Sequence, residues 1–107
     1  MTRVPKDQHK YFFTVTQLDE FLRKHGLNVS KSSISPRVTR FLDYLDIVDP
    51  DHPNYATYED VPSGKKIRVN CLDMRQFSDY LDYVISTNNN NPIAQNINTI
   101  LKKHLFD

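Results

Sequence analysis

The sequence predicts an α+β fold that is mostly helical, with four amphipathic helices and a single two-stranded β-hairpin. Three observations carry this expectation. Apolar residues recur at spacings of three and four in four separate segments, the period of a helix with one buried face. Residues Lys66 to Cys71 instead alternate apolar and polar at every second position, the period of a strand. Gly26, Pro36, Pro50, Pro53, Pro62, Gly64 and Pro92 fall at the boundaries of these segments, where helices and strands start, stop or turn.

A chain of 107 residues with 38% hydrophobic and 11% aromatic content has the material for one core, and a domain of this size buries roughly two thirds of its unfolded surface. Residues 1–13 carry Arg3, Lys6 and Lys10 against Asp7 and show no period, so they read as an N-terminal arm that becomes ordered at Tyr11-Phe12-Phe13. The domain proper is expected over 14–86. It opens with a helix whose inner face is Val15, Leu18, Phe21 and Leu22, capped by Thr14 or Thr16 and ended by Gly26. The serine-rich stretch Leu27 to Ser35 reads as a turn or short helix. A second main helix then starts with Ser35 as cap and Pro36 in the first helical position, and buries Val38, Phe41, Leu42 and Leu45.

Asp49-Pro50-Asp51-His52-Pro53-Asn54 cannot continue that helix and reads as an acidic loop. Tyr55 to Val61 and Lys65 to Leu72 flank Pro62-Ser63-Gly64 and predict the hairpin, with Ile67, Val69 and Cys71 inward and Lys66, Arg68 and Asn70 outward. A third helix follows Asp73, with Met74, Phe77, Tyr80, Leu81, Val84 and Ile85 on its inner side. Residues 87–107 form a polar break at Asn88 to Asn91 and a C-terminal helix from Pro92. The tetrapeptide Asp-Tyr-Leu-Asp occurs at residues 43–46 and again at 79–82, which two amphipathic helices of similar composition explain as well as a duplication does.

Several function classes lose their usual equipment. Two glycines cannot build a phosphate-binding loop, and the single Cys71 makes neither an internal disulfide nor a cysteine zinc site. His9, His25, His52 and His104 lack ligand spacing, so no metal, cofactor or catalytic group is expected and the chain reads as a non-enzyme. With no apolar stretch resembling a signal or a membrane span, a cytoplasmic location is expected.

Net charge is only +1, so charge placement matters more than the total. Lys65, Lys66, Arg68 and Arg75 stand against Asp73 alone between Val61 and Arg75, whereas Asp49, Asp51, Glu59 and Asp60 precede them without a basic residue. The order helix, turn, helix, acidic loop, basic hairpin, helix is that of a helix-turn-helix followed by a wing. Arg37, Arg40 and Tyr44 share one face of the second helix and are the expected base readers, with Thr39 beside them. Lys31, Ser32, Ser33 and Ser35 at the helix start, and Lys65, Lys66 and Arg68 on the hairpin, are the expected phosphate contacts of a double-stranded DNA site.

Phe13-Thr14-Val15-Thr16-Gln17-Leu18, Ser63-Gly64-Lys65-Lys66-Ile67-Arg68-Val69 and Leu72-Asp73-Met74-Arg75-Gln76-Phe77 together make the chain resemble the winged helix-turn-helix proteins, faintly those of excisionase-like and MerR-like type. The resemblance spans roughly residues 13–85 and departs in the longer inter-helix turn and the long acidic loop. It implies a site-specific DNA-binding protein, a small transcriptional regulator or accessory factor of a phage, plasmid or other mobile element. The alternative from the same residues is a protein-binding adaptor or inhibitor, with Asp43, Tyr44, Tyr55 and Tyr58 as contacts. The C-terminal stripe Ile93, Ile97, Ile100, Leu101 and Leu105 needs a cover: either the chain's own core or the same helix of a second copy, giving a homodimer.

Overall fold

The computed structural model describes residues 2–88 and 91–106. Among them are four helices, α1 (Val15–Lys24), α2 (Lys31–Val48), α3 (Met74–Thr87) and α4 (Pro92–His104), and four strands, β1 (Thr2–Arg3), β2 (Phe12–Phe13), β3 (Tyr55–Asp60) and β4 (Lys66–Asp73). The expected α+β class, mostly helical, with a hairpin and a C-terminal helix, is what the chain adopts. The sheet has four strands rather than two, in the order β1-β3-β4-β2. The segment read as an arm supplies both extra strands: β1 pairs parallel with β3 and β2 pairs antiparallel with β4, Phe13 opposite Leu72. Between them Lys6–Tyr11 forms a 3-10 helix.

Local chemistry explains the helix ends. Thr14 closes a capping box, its hydroxyl accepting from the Gln17 amide at 3.1 Å while Gln17 accepts from the Thr14 amide at 2.9 Å. Gly26 at φ +88° allows the chain to leave α1 with the Leu27 amide returned to Leu22 and the Gly26 amide to Arg23, which satisfies two terminal carbonyls. Asp73 ends β4 and caps α3 by accepting from the Arg75 amide at 2.9 Å, so strand passes into helix without a linker. Asn91 caps α4 through Ala94, with Pro92 in the first turn; its neighbours in the polar break, residues 89–90, lie outside the described residues.

α2 begins earlier than its sequence signal. Ser30, not Ser35, stands at the cap position, and Pro36 lies inside the helix. Pro36 removes the i→i−4 bond to the Ser32 carbonyl, and burial of Ile34 and Val38 on either side of it offsets that loss, so the serine stretch joins the helix. Serine hydroxyls occupy one another there: Ser30 meets Ser32 at 2.8 Å and Ser33 at 3.2 Å.

One core forms from all four helices and the base of the hairpin: Leu18, Leu22, Val29, Ile34, Val38, Phe41, Leu45, Leu72, Met74, Phe77, Tyr80, Leu81, Ala94, Ile97 and Leu101. Phe41 meets Phe77 edge-on at 5.2 Å, and the tyrosines of the two Asp-Tyr-Leu-Asp copies meet at 5.3 Å across α2 and α3. The C-terminal stripe is covered by this core. Ile97 and Leu101 are fully buried, and Ile93, Ile100 and Leu105 pack against the same cluster, so of the two covers expected for this stripe the chain's own core is the one it has here. A buried polar clip fixes it: Asn98 accepts from Ser78 at 2.6 Å and donates to Asp82 at 2.7 Å, which also takes Lys102 at 2.9 Å. No described helix is long and apolar enough to cross a membrane.

The hairpin also departs from its expected interior. Leu72 is buried on the same side as Asn70, Arg68 and Lys66, whereas Ile67, expected inward, is 47% exposed. The hairpin outruns the core, so alternation marks the strand but not which face is dry. Leu42, expected inside, sits at the edge of the core at 37% exposure.

Candidate functional site

The outer half of the hairpin gathers charge through pairings that are distant in sequence. β3 and β4 pair Tyr58 with Arg68 and Asp60 with Lys66, and paired residues share a face. β1 adds Arg3 opposite Ala56, two residues along from Tyr58, and the Arg3 guanidinium lies 5.1 Å from the Tyr58 ring centre. Tyr58 stays 46% exposed beneath Arg3, with Arg68 opposite it in the ladder, Lys66 on the same face and Lys65 at the turn. That turn closes through Val61 and Lys65 at 3.0 Å and through Gly64, whose φ of +82° is the left-handed region that glycine tolerates. An exposed aromatic ring flanked by guanidinium and ammonium groups can stack on a base or sugar while the cations meet phosphate oxygens.

Arg3 and Tyr58 were not among the expected DNA contacts. Arg3 reaches the site through a parallel strand pairing across more than fifty residues, and no local pattern announces such a pairing. Lys65, Lys66 and Arg68 are all exposed here.

The α2 residues are divided. Arg37 and Arg40 line a cleft with Tyr80, Leu81 and Val84 of α3 and with Asn91 and Ala94 at the start of α4. Arg37 is half-buried and donates to the Ser33 carbonyl at 2.7 Å, while Arg40 is exposed. Burial pushes the Tyr80 phenol above its ordinary pKa, against the pull of Arg40 and Arg37. Tyr44 is half-buried, stacked on Tyr83 at 5.0 Å and tilted on Tyr80 at 5.3 Å. Leu42 and Leu45 face the base of the hairpin, beside Asn70 and Leu72. The hairpin therefore borders one flank of α2, and Arg37, Arg40 and Tyr44 occupy the other.

Ser32, Ser35 and Thr39 are exposed, although the Thr39 hydroxyl is turned back onto the Ser35 carbonyl at 3.1 Å; Ser33 is half-buried. Lys31 begins α2, and its side chain lies outside the described residues. The face of α2 pointing away from the core holds Ser32, Pro36, Thr39, Asp43 and Ile47, a mixed surface of small polar, acidic and apolar groups without an arginine at its centre.

A second group of cations binds the chain's own ends together. Tyr11 is covered by Arg75 at 4.1 Å and Lys10 at 4.7 Å, which hold its phenol below the ordinary pKa, and it stacks on Phe106 at 6.0 Å. Cys71 is half-buried in the sheet, and burial together with the Glu59 carboxylate pushes its thiol up, away from the reactive thiolate. Among the described residues no group of three His, Cys, Asp or Glu is placed to hold a metal ion. Comparison of the chain with protein-family models, with curated proteins and with solved structures finds no match in any of the three.

Proposed function

We propose that this chain binds double-stranded DNA, with the hairpin as its main phosphate-holding element and the exposed Arg40 flank of α2, on the other side of that helix from the hairpin, as a second contact. The observation that carries the proposal is the exposed Tyr58 ring under the Arg3 guanidinium, on the hairpin face where Arg68 stands opposite Tyr58 and Lys66 opposite Asp60. The order of elements also favours a winged helix-turn-helix: β2, the strand before α1, lies against the second hairpin strand, so that α1, α2 and the hairpin form one unit. On this reading Arg3, Lys65, Lys66 and Arg68 meet the backbone, and Arg40, exposed near the far flank of α2, is the base-reading candidate that remains reachable. Arg37 and Tyr44 support that flank by packing. The role is binding rather than catalysis, at a specific site, as a regulator or accessory factor of a mobile element would require.

Magnitude makes the proposal testable. Neutralising about four phosphates gives a slope of log affinity against log salt near −3.6, a loss of about 10²-fold between 50 and 200 mM salt. Anisotropy titrations with labelled duplex should give that slope, and Arg68→Ala should make it shallower by about one. Selection from a random duplex pool should enrich a motif whose preference Arg40→Ala relaxes. Absence of duplex binding at micromolar protein and low salt would overturn the proposal.

A further inference from the structure

The small cleft between α2, α3 and the start of α4 gathers hydrogen-bond donors. Arg37 and Arg40 line it with Tyr80 and with Asn91 and Ala94 at the N-terminus of α4, and no carboxylate among the described residues does. Tyr80 is 7% exposed, its ring packed among Phe41, Tyr44 and Phe77, yet no described residue hydrogen-bonds its hydroxyl. Every fully buried polar side-chain atom among the described residues has a partner, so this hydroxyl is not sealed in the core; it opens at the cleft that Tyr80 lines. Burial keeps the phenol protonated, and Arg40 and Arg37 are the cations close enough to act on it. Arg37 gives one N–H to the Ser33 carbonyl and keeps the rest of its guanidinium fork. Neither arginine is ion-paired with a described residue, and like charges at this helical spacing repel. Asn91 accepts from the Ala94 amide at 3.2 Å, which leaves its NH2 group as a donor beside the positive end of the α4 dipole.

We propose that this cleft binds a single phosphate group. Two guanidinium forks, a phenol hydroxyl, a side-chain amide and a helix N-terminus all favour an oxyanion with several acceptor oxygens. The cavity of about 40 Å³ exceeds the roughly 10–15 Å³ that one water needs and is far smaller than the pocket of a large organic ligand, which suits one tetrahedral oxyanion. Tyr80 separates this site from a pair of solvated arginines: a core hydroxyl without a partner is unfavourable until an acceptor fills the cleft. The phosphate belongs either to a small phosphorylated molecule or to a nucleic-acid backbone reaching the α2 flank, and competition separates the two.

The test is titration of the isotope-labelled chain with inorganic phosphate, read by NMR, with sodium chloride holding ionic strength constant. Saturable shifts are expected at the side-chain N–H groups of Arg37 and Arg40 and at the first amides of α4, and not at Lys66 or Arg68. Tyr80→Phe keeps the ring and removes only the hydroxyl, so it should weaken phosphate binding about tenfold while Tm in chloride stays near that of the parent chain. Arg37→Gln and Arg40→Gln should each weaken it at least as much. Lys66→Glu with Arg68→Glu should leave phosphate binding unchanged while removing duplex binding, so this proposal and the DNA-binding one fail separately. Displacement of phosphate by duplex assigns the group to nucleic acid; phosphate that stays bound in the presence of duplex assigns it to a small phosphorylated molecule. Shifts that never saturate, shifts spread over all the cationic side chains, or parental affinity in Tyr80→Phe and both arginine variants would each overturn the proposal.

Discussion

Truncating Leu101 to alanine tests directly whether the C-terminal helix belongs to its own chain. Leu101 is fully buried where α4 meets the core, and deleting a buried leucine side chain costs about 3 kcal/mol, within a range of about 2–5. For a domain of this size each kcal/mol lowers Tm by roughly 4–8 °C, so thermal unfolding followed by circular dichroism should shift down by about 12–24 °C. Dilution supplies the second half of the measurement. Packing in cis makes Tm independent of protein concentration, whereas a fold completed by a second copy would lose about 2.7 kcal/mol on hundredfold dilution. A Leu101→Ala penalty below about 1 kcal/mol, or a parent Tm that falls on dilution, would refute the assignment of this stripe to the intrachain core.

Asn98→Ala should destabilise by about 1–3 kcal/mol in urea unfolding, because it strands the buried Ser78 hydroxyl, and Ser78→Ala added to it should recover part of that loss. Two histidines give stability opposite pH dependences. His52, raised by its bond to Asp46, contributes stability that is complete below about pH 6.5 and disappears as pH rises through its folded value, so His52→Ala should cost more at pH 5.5 than at pH 8. His25, stacked 3.9 Å from His104, is lowered by burial and then by the charges of His104 and Lys24; the unfolded chain takes up its proton first, so His25→Gln should flatten the stability loss seen on acidification below about pH 6.5. Arg3→Ala should reduce duplex affinity and make its salt slope shallower by about one while leaving Tm nearly unchanged; an unaltered slope would remove Arg3 from the interface.

Sequence by itself determined what depends on neighbours along the chain. The cap at Thr14, one of two threonines the sequence offered, the cap at Asp73, the stop at Gly26 and the turn at Gly64 are local backbone chemistry, and the helical stripes and strand alternation are local periodicities. These were enough for the four helices and the hairpin, in order, but not for β1 and β2. Ser35-Pro36 misled because a helix start and an early in-helix proline look alike without knowing whether the preceding turn has something to pack on; Ile34, 1% exposed, provides it. Tertiary structure alone decided which amphipathic faces meet. It turned the first thirteen residues into sheet edges, set Arg3 beside Tyr58, and drew Tyr44 onto Tyr80 and Tyr83, with Arg37 and Arg40 beside Tyr80. It also gave the isoleucine stripe of α4 to its own core. The physical reason is that burial is non-directional: a stripe of apolar residues records that a face must be covered, and only the closed packing of the whole chain selects the cover.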